Sequence, residues 1–213
     1  MSEEQKNPLE SEWLGTGRIV TLSDGIFAIA MTLLVLTVKI PHIPADQAAA
    51  ELPARIRGLW PQLSQYIYAF ITLASFWMGH HSQFRYIRRA DAAFLWLNIL
   101  VLMLAALIPF SAEIVGDYGQ VPIAAQLFEV NLLLVGLVIY WQWCYALRHE
   151  LVVPGLARET SKKIRQAALF IPALSLIALA ISPFWPDWST SVYALTPFLH
   201  HRGWLARKLR PGS

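Results

Sequence analysis

A carboxylate, two imidazoles and a carboxamide lie within runs of apolar residues, and they hold most of the polar chemistry open to this chain. Asp24 follows Ser23 in RIVTLSDGIFAIAMTLLVLTVKI (18–40), His80 and His81 follow Trp77 in SFWMGHHSQF (75–84), and Asn98 sits in LWLNILVLM (95–103). A carboxyl at such depth is costly without partners, so a chain that keeps one there uses it. Asp24 can accept from an indole N–H, an imidazole N–H or an amide. Two uses fit: a satisfied polar clamp that packs one helix against two others, or a site that binds or moves an ion.

Other chemistries find no foothold. Adjacent histidines on a helix point about 100° apart, and no Cys or carboxylate stands at ligand spacing from His80 and His81, so no metal is expected. Gly15-Thr16-Gly17-Arg18 is a fragment of a phosphate loop without its remaining glycine and lysine, and reads as a flexible start to a helix. There is no Ser/His/Asp elbow, no HExxH and no catalytic carboxylate pair. The chain is not expected to be an enzyme or to hold a cofactor. The lone Cys144 is expected to serve as a small buried hydrophobe.

The residues around these groups define the solvent. Of 213 residues, 56% are hydrophobic and only 15% charged, with mean hydropathy +0.45. A soluble domain carries roughly 25% charged residues, so the expected surroundings are a lipid bilayer. The first apolar run is longer than the roughly 7–15 residues of a secretory core and lacks a small-residue cleavage site. Helical spans are expected at 18–40, 59–81, 91–112, 122–147, 163–182 and 187–201, an all-α membrane fold of six spans. Pro41 and Pro44 stop the first, Pro61 suits the first turn of the second, and Pro109 marks the end of the third. The segment 43–58 reads as a short amphipathic helix on the outer surface.

Direction follows from the basic residues. With the N-terminus inside, the inner segments hold 14 of the 17 Lys and Arg, leaving Lys39, Arg55 and Arg57 outside. Both termini are then cytoplasmic. The formal charge of +3 is spread over these loops and asks for no nucleic acid. One domain is expected: a cytoplasmic segment 1–17, the spans over 18–201 and a basic tail 202–213.

At a rise of about 1.5 Å per residue, Asp24 lies roughly 9 Å inward from Arg18, and Asn98 roughly 10 Å in from the cytoplasmic end of its helix. Ser23, Asp24, Trp77, one or both histidines and Asn98 can therefore meet at one level. Arg18 is about 240° around the helix from Asp24, so those two are not expected to pair. Beyond them Ile26, Ile29, Leu33, Leu36 and Ile40 recur at spacings of three and four, one line along the helix. In a monomer that line faces lipid or core. In an oligomer built around this helix it faces a central axis, where rings of Ile and Leu can close a pore by dewetting.

Arg18-x-x-x-Leu22-Ser23-Asp24-Gly25 followed by IFAIAMTLLVL resembles the RxxxFSD signature of the transmembrane protein 175 family of potassium channels. The similarity continues through FWMGHHSQF, LWLNILVLMLAALIPFS and VPIAAQLFEVNLLL, covering most of 18–145. The resemblance implies a prokaryotic plasma-membrane member: a homotetrameric cation channel, permeable to potassium and open to other monovalent cations or protons, lined by the first helix. It puts the constriction on Ile29, Leu33 and Leu36, and a candidate selectivity layer on Thr32. It assigns Arg18, Ser23, Asp24, Trp77, His81 and Asn98 to an interhelical network on the intracellular side. Leu22 departs from the signature's Phe, which removes a ring behind the SerAsp. A rival use of the same residues is a proton-conducting pore or proton-coupled carrier with Asp24 and a histidine as relay.

Overall fold

The computed structural model describes residues 16–40 and 42–197. The expected segment 1–17 falls mostly, and the tail 202–213 wholly, outside them. In chain order the helices are α1 (Thr16–Leu33), α2 (Ala48–Gly58), α3 (Trp60–Phe84), α4 (Ala92–Ala106), α5 (Ile108–Tyr118), α6 (Pro122–Arg148), α7 (Arg158–Ala168), α8 (Phe170–Ile181) and α9 (Pro186–Ser189). Among the described residues β pairing is limited to one antiparallel bridge between Ile87 and Val152.

The buried positions of α1 are Ile19, Ser23, Phe27 and Ala30, spaced four, four and three, which puts them on one face. The helix then tightens into a 3₁₀ segment, Leu34–Thr37, where Thr37 Oγ1 donates to the Leu34 carbonyl at 2.8 Å. Lys39 and Ile40 lie beyond this end, so the span is shorter than the expected 18–40. Lys39 pairs with Glu113, and its backbone N–H donates to Gln62 Oε1 at 3.0 Å. Gln62 in turn donates to Asp117 at 3.1 Å, which ties the end of the first span to α3 and α5.

Proline places the breaks, though not always as expected. Pro109 does not end the third span: lacking an N–H it only interrupts the ladder, so α4 stops at Ala106 and α5 continues to Tyr118. Pro172 does the same between α7 and α8, and this span starts at Arg158 rather than 163. Among the described residues four stretches are long and apolar enough to cross a membrane: Thr16–Thr37, Ala92–Tyr118, Pro122–Arg148 and Arg158–Ile181. α3 has sufficient length at 25 residues, but Gln62, Gln65 and its tyrosines leave it less apolar. In place of the expected span 187–201 stand α9 and a 3₁₀ segment, Thr190–Leu195, with residues 198–201 outside the described region. The expected surface helix at 43–58 is α2, none of whose residues is buried.

α6 is the central post, packed against α4, α5 and α8. Its contact with α8 is so close that a Cβ on Gly136 would stand 2.6 Å from the Pro172 ring. The main core gathers Phe27, Leu34, Leu73, Phe76, Phe128 and Leu132, and a smaller one surrounds Phe84, Phe94 and Trp143. Below the smaller core two loops are sewn together: Arg88 N–H donates to the Leu151 carbonyl at 2.8 Å and Val153 N–H to that of Tyr86 at 2.9 Å. Asp91 caps α4 by accepting from Phe94 N–H at 2.8 Å and takes the Tyr145 hydroxyl at 2.9 Å.

Candidate functional site

Asn98 is wholly buried on α4, and three other helices meet it. Its Nδ2 donates to Ser23 Oγ of α1 at 3.2 Å. Its Oδ1 takes His80 Nε2 of α3 at 2.8 Å and Gln142 Nε2 of α6 at 3.2 Å. With Oδ1 as acceptor, the His80 proton sits on Nε2. Ser23 passes its own hydrogen to the Ile19 carbonyl at 2.8 Å, closing the chain on the backbone of α1. His80 also stacks on Phe84 with centroids 4.4 Å apart and touches the Phe27 ring at 5.7 Å.

Asp24 faces a different way from its neighbour Ser23. It is half-buried and accepts from Trp77 Nε1 at 2.8 Å, a second tie between α1 and α3. His81 is exposed and reaches this group only through its ring, 5.8 Å from that of Trp77. Of the two adjacent histidines, His80 and not His81 hydrogen-bonds Asn98, because one step along a helix turns the side chain by about 100°. Arg18 is exposed and makes no ion pair among the described residues. Leu22 is 51% exposed, so the side chain standing where the signature has Phe does not pack behind the SerAsp.

The far side of α1 is bare. Ile29, Leu33 and Leu36 are 57%, 44% and 65% exposed, and Ile40 is exposed as well, while Ile26 turns partly into the core. Thr32 is exposed on the same side, its hydroxyl donating to the Ile29 carbonyl at 2.8 Å. The oxygen therefore offers only lone pairs outward. The helix is thus bound through one polar and apolar face and presents Ile, Leu and a hydroxyl oxygen on the other.

The comparisons with known proteins fit this arrangement. The model of the family described as "Endosomal/lysosomal potassium channel TMEM175" matches residues 18–109, a stretch that holds both α1 and Asn98. "Potassium channel Cha6605_3372" of Chamaesiphon minutus is 33% identical over 179 residues, covering 82% of this chain and 86% of that protein. This chain belongs to the TMEM175 family. A solved structure of a TMEM175 homologue from Chamaesiphon minutus, described as a lysosomal potassium-selective channel, aligns with a TM-score of 0.75 at 31% identity. That alignment covers 88% of this chain and 97% of the other. The human "Endosomal/lysosomal proton channel TMEM175" is 27% identical over 198 residues, which is 86% of this chain but 39% of that longer protein. The family consists of membrane ion channels rather than enzymes.

Three buried polar residues of α6 stand outside the sequence reading: Gln142, which completes the Asn98 junction, Asn131, which meets the Ser111 hydroxyl of α5, and Glu129. Each interrupts an apolar run, which is the signal that marks them. The exposed stripe of α6, Ile123, Leu127, Val130, Leu134 and Trp141, is as apolar as its buried faces, so hydrophobic periodicity does not tell which neighbour such a residue meets.

Proposed function

We propose that four copies of this chain assemble about a central axis into a passive, potassium-permeable cation channel of the prokaryotic plasma membrane. Each subunit contributes six spans with both termini in the cytoplasm, and α1 of each lines the pore. Rings of Ile29, Leu33 and Leu36 form the constriction and hold it shut to water by dewetting. Thr32 presents acceptor lone pairs beside these rings, the polarity a cation requires, and contributes to selection among monovalent ions. Ser23 and Asp24, held by Asn98, His80 and Trp77, fix the register of α1.

One observation carries this reading: the uncovered Ile29–Leu33–Leu36 stripe on a helix whose opposite face is fully packed. The same side carries exposed Gly25 and Ala28, and a Cβ added to Gly25 would meet nothing within 4 Å. Small residues of this kind let helices of separate subunits approach closely. Exposed tryptophans, the residues that suit a membrane interface, stand elsewhere, at Trp60, Trp96, Trp141, Trp185 and Trp188. The resemblance to potassium channels of bacterial origin agrees in kind. The deciding experiment is the mass of the solubilised assembly together with single-channel recording under bi-ionic potassium and sodium. A tetramer with potassium current is expected; a monomer, or membranes without current, refutes the proposal.

A second reading is proton conduction, favoured by the half-buried Asp24 and by the name given to the human relative. It predicts that Asp24→Asn removes flux driven by a pH gradient while potassium current persists.

A further inference from the structure

Glu129 is the one fully buried carboxyl among the described residues, placed on α6 roughly 10 Å in from Pro122. Among the described residues neither of its oxygens meets a donor in hydrogen-bonding geometry, and it forms no ion pair. The hydroxyls of Ser182, at the end of α8, and Ser189, on α9, lie beside it. Both have already given their hydrogens away, Ser182 to the Leu179 carbonyl at 3.3 Å and Ser189 to that of Pro186 at 2.9 Å. Tyr193 of the 3₁₀ segment is within electrostatic reach, and its hydroxyl donates to Ser175 at 2.9 Å. The three hydroxyls beside Glu129 thus have their hydrogens engaged elsewhere and turn lone pairs toward it.

The charged groups of the neighbouring elements do not change this. On α5, Glu113 is engaged by Lys39 and Asp117 by Gln62. Asp187 of α9 is exposed, and the nearby span α3 brings buried but uncharged Gln65 and Thr72. A carboxylate in such a place would be a buried charge without a donor, which costs far more than a neutral group. A carboxylic acid carries its own donor and can meet a serine lone pair.

We propose that Glu129 is a proton-binding site, held as a carboxylic acid whose O–H faces the serine oxygens and ties α6 to the corner between α8 and α9. The site lies on another helix from the exposed α1 stripe and does not depend on the pore assignment. Loss of its proton places a negative charge among lone pairs and loosens that corner, so the packing of α8 and α9 responds to pH.

Infrared spectroscopy of the full-length protein in lipid, wild type against Glu129→Gln, tests this directly. The wild type is expected to show the carbonyl stretch of a buried protonated acid, shifted by deuterium exchange and absent from the variant. Glutamine keeps the shape and neutrality of the acid, so the variant is expected to fold. Thermal unfolding supplies a second measurement. The native state holds a proton that the unfolded chain has released at neutral pH, so wild-type stability falls as pH rises, and Glu129→Gln lacks that component. Absence of the band, or an identical pH dependence in both proteins, overturns the proposal. So does a wild-type stability that depends on added potassium or sodium and loses that dependence in the variant, since the site would then hold a metal cation in place of a proton.

Discussion

Asn98 Nδ2 lies 3.2 Å from Ser23 Oγ, and that one bond joins the helix with the bare apolar stripe to a junction shared by α3, α4 and α6. Because Ser23 and the stripe share one helix, the junction sets the direction in which Ile29 and Leu33 point.

Removing the junction therefore weakens the fold first. Asn98→Leu leaves the donors of His80 and Gln142 unpaired in a dry site, at about 1–3 kcal/mol for each buried group. Ser23→Ala leaves one buried donor, Asn98 Nδ2, unpaired and costs about 1–3 kcal/mol. Thermal unfolding of the solubilised protein is expected to rank Asn98→Leu well below Ser23→Ala, with the wild type highest.

Trimming the stripe acts on conduction instead. Ile29 and Leu33 are exposed in the protomer, so alanine at either position opens no cavity in the subunit core. Potassium flux into reconstituted vesicles is expected to rise on the order of tenfold, equivalent to about 1.4 kcal/mol off the barrier. Unchanged flux in both variants is the result incompatible with a constriction at these rings.

Thr32→Val keeps the volume near that of threonine and removes the outward-facing oxygen. The bi-ionic reversal potential is expected to move toward equal potassium and sodium permeability, with the assembly mass unaltered. A reversal potential identical to wild type removes Thr32 from the selectivity assignment.

Gly136→Ala places a methyl 2.6 Å from two carbons of the Pro172 ring. Neither backbone nor ring can yield easily there, so overpacking of about 1–3 kcal/mol is expected. The check is the unfolding temperature; Gly58→Ala, with open space around it, serves as the neutral control.

Much of the junction was legible from arithmetic on helical rise. Counting residues from each helix end brought Ser23, Trp77 and Asn98 to one level, and the hydrogen bonds of Asn98 and Trp77 lie there. The choice between His80 and His81 was not legible, since it turns on a rotation of one residue and on a partner, Gln142, from a helix without amphipathic pattern. Apolar run length located the four stretches long and apolar enough to cross a membrane, yet not their breaks. Pro109 reads equally well as a terminus or an interruption, and only the continued packing of α5 against α3 and α6 separates the two. The expected span 59–81 coincides with α3, which is long enough but, with Gln65 and Thr72 both buried in it, less apolar than its neighbours.

The 3₁₀ turn that closes α1 bears on where its last large side chain aims. Such a turn advances about 120° per residue where an α-helix advances about 100°. Across Leu34, Val35 and Leu36 the excess accumulates to roughly 60°, so Leu36 has a compass bearing that a helical wheel drawn from Ile29 would miss. Its aim is governed by the short bonds that Thr37 and Val38 make to the carbonyls of Leu34 and Val35, independently of the anchor that orients the rest of the helix.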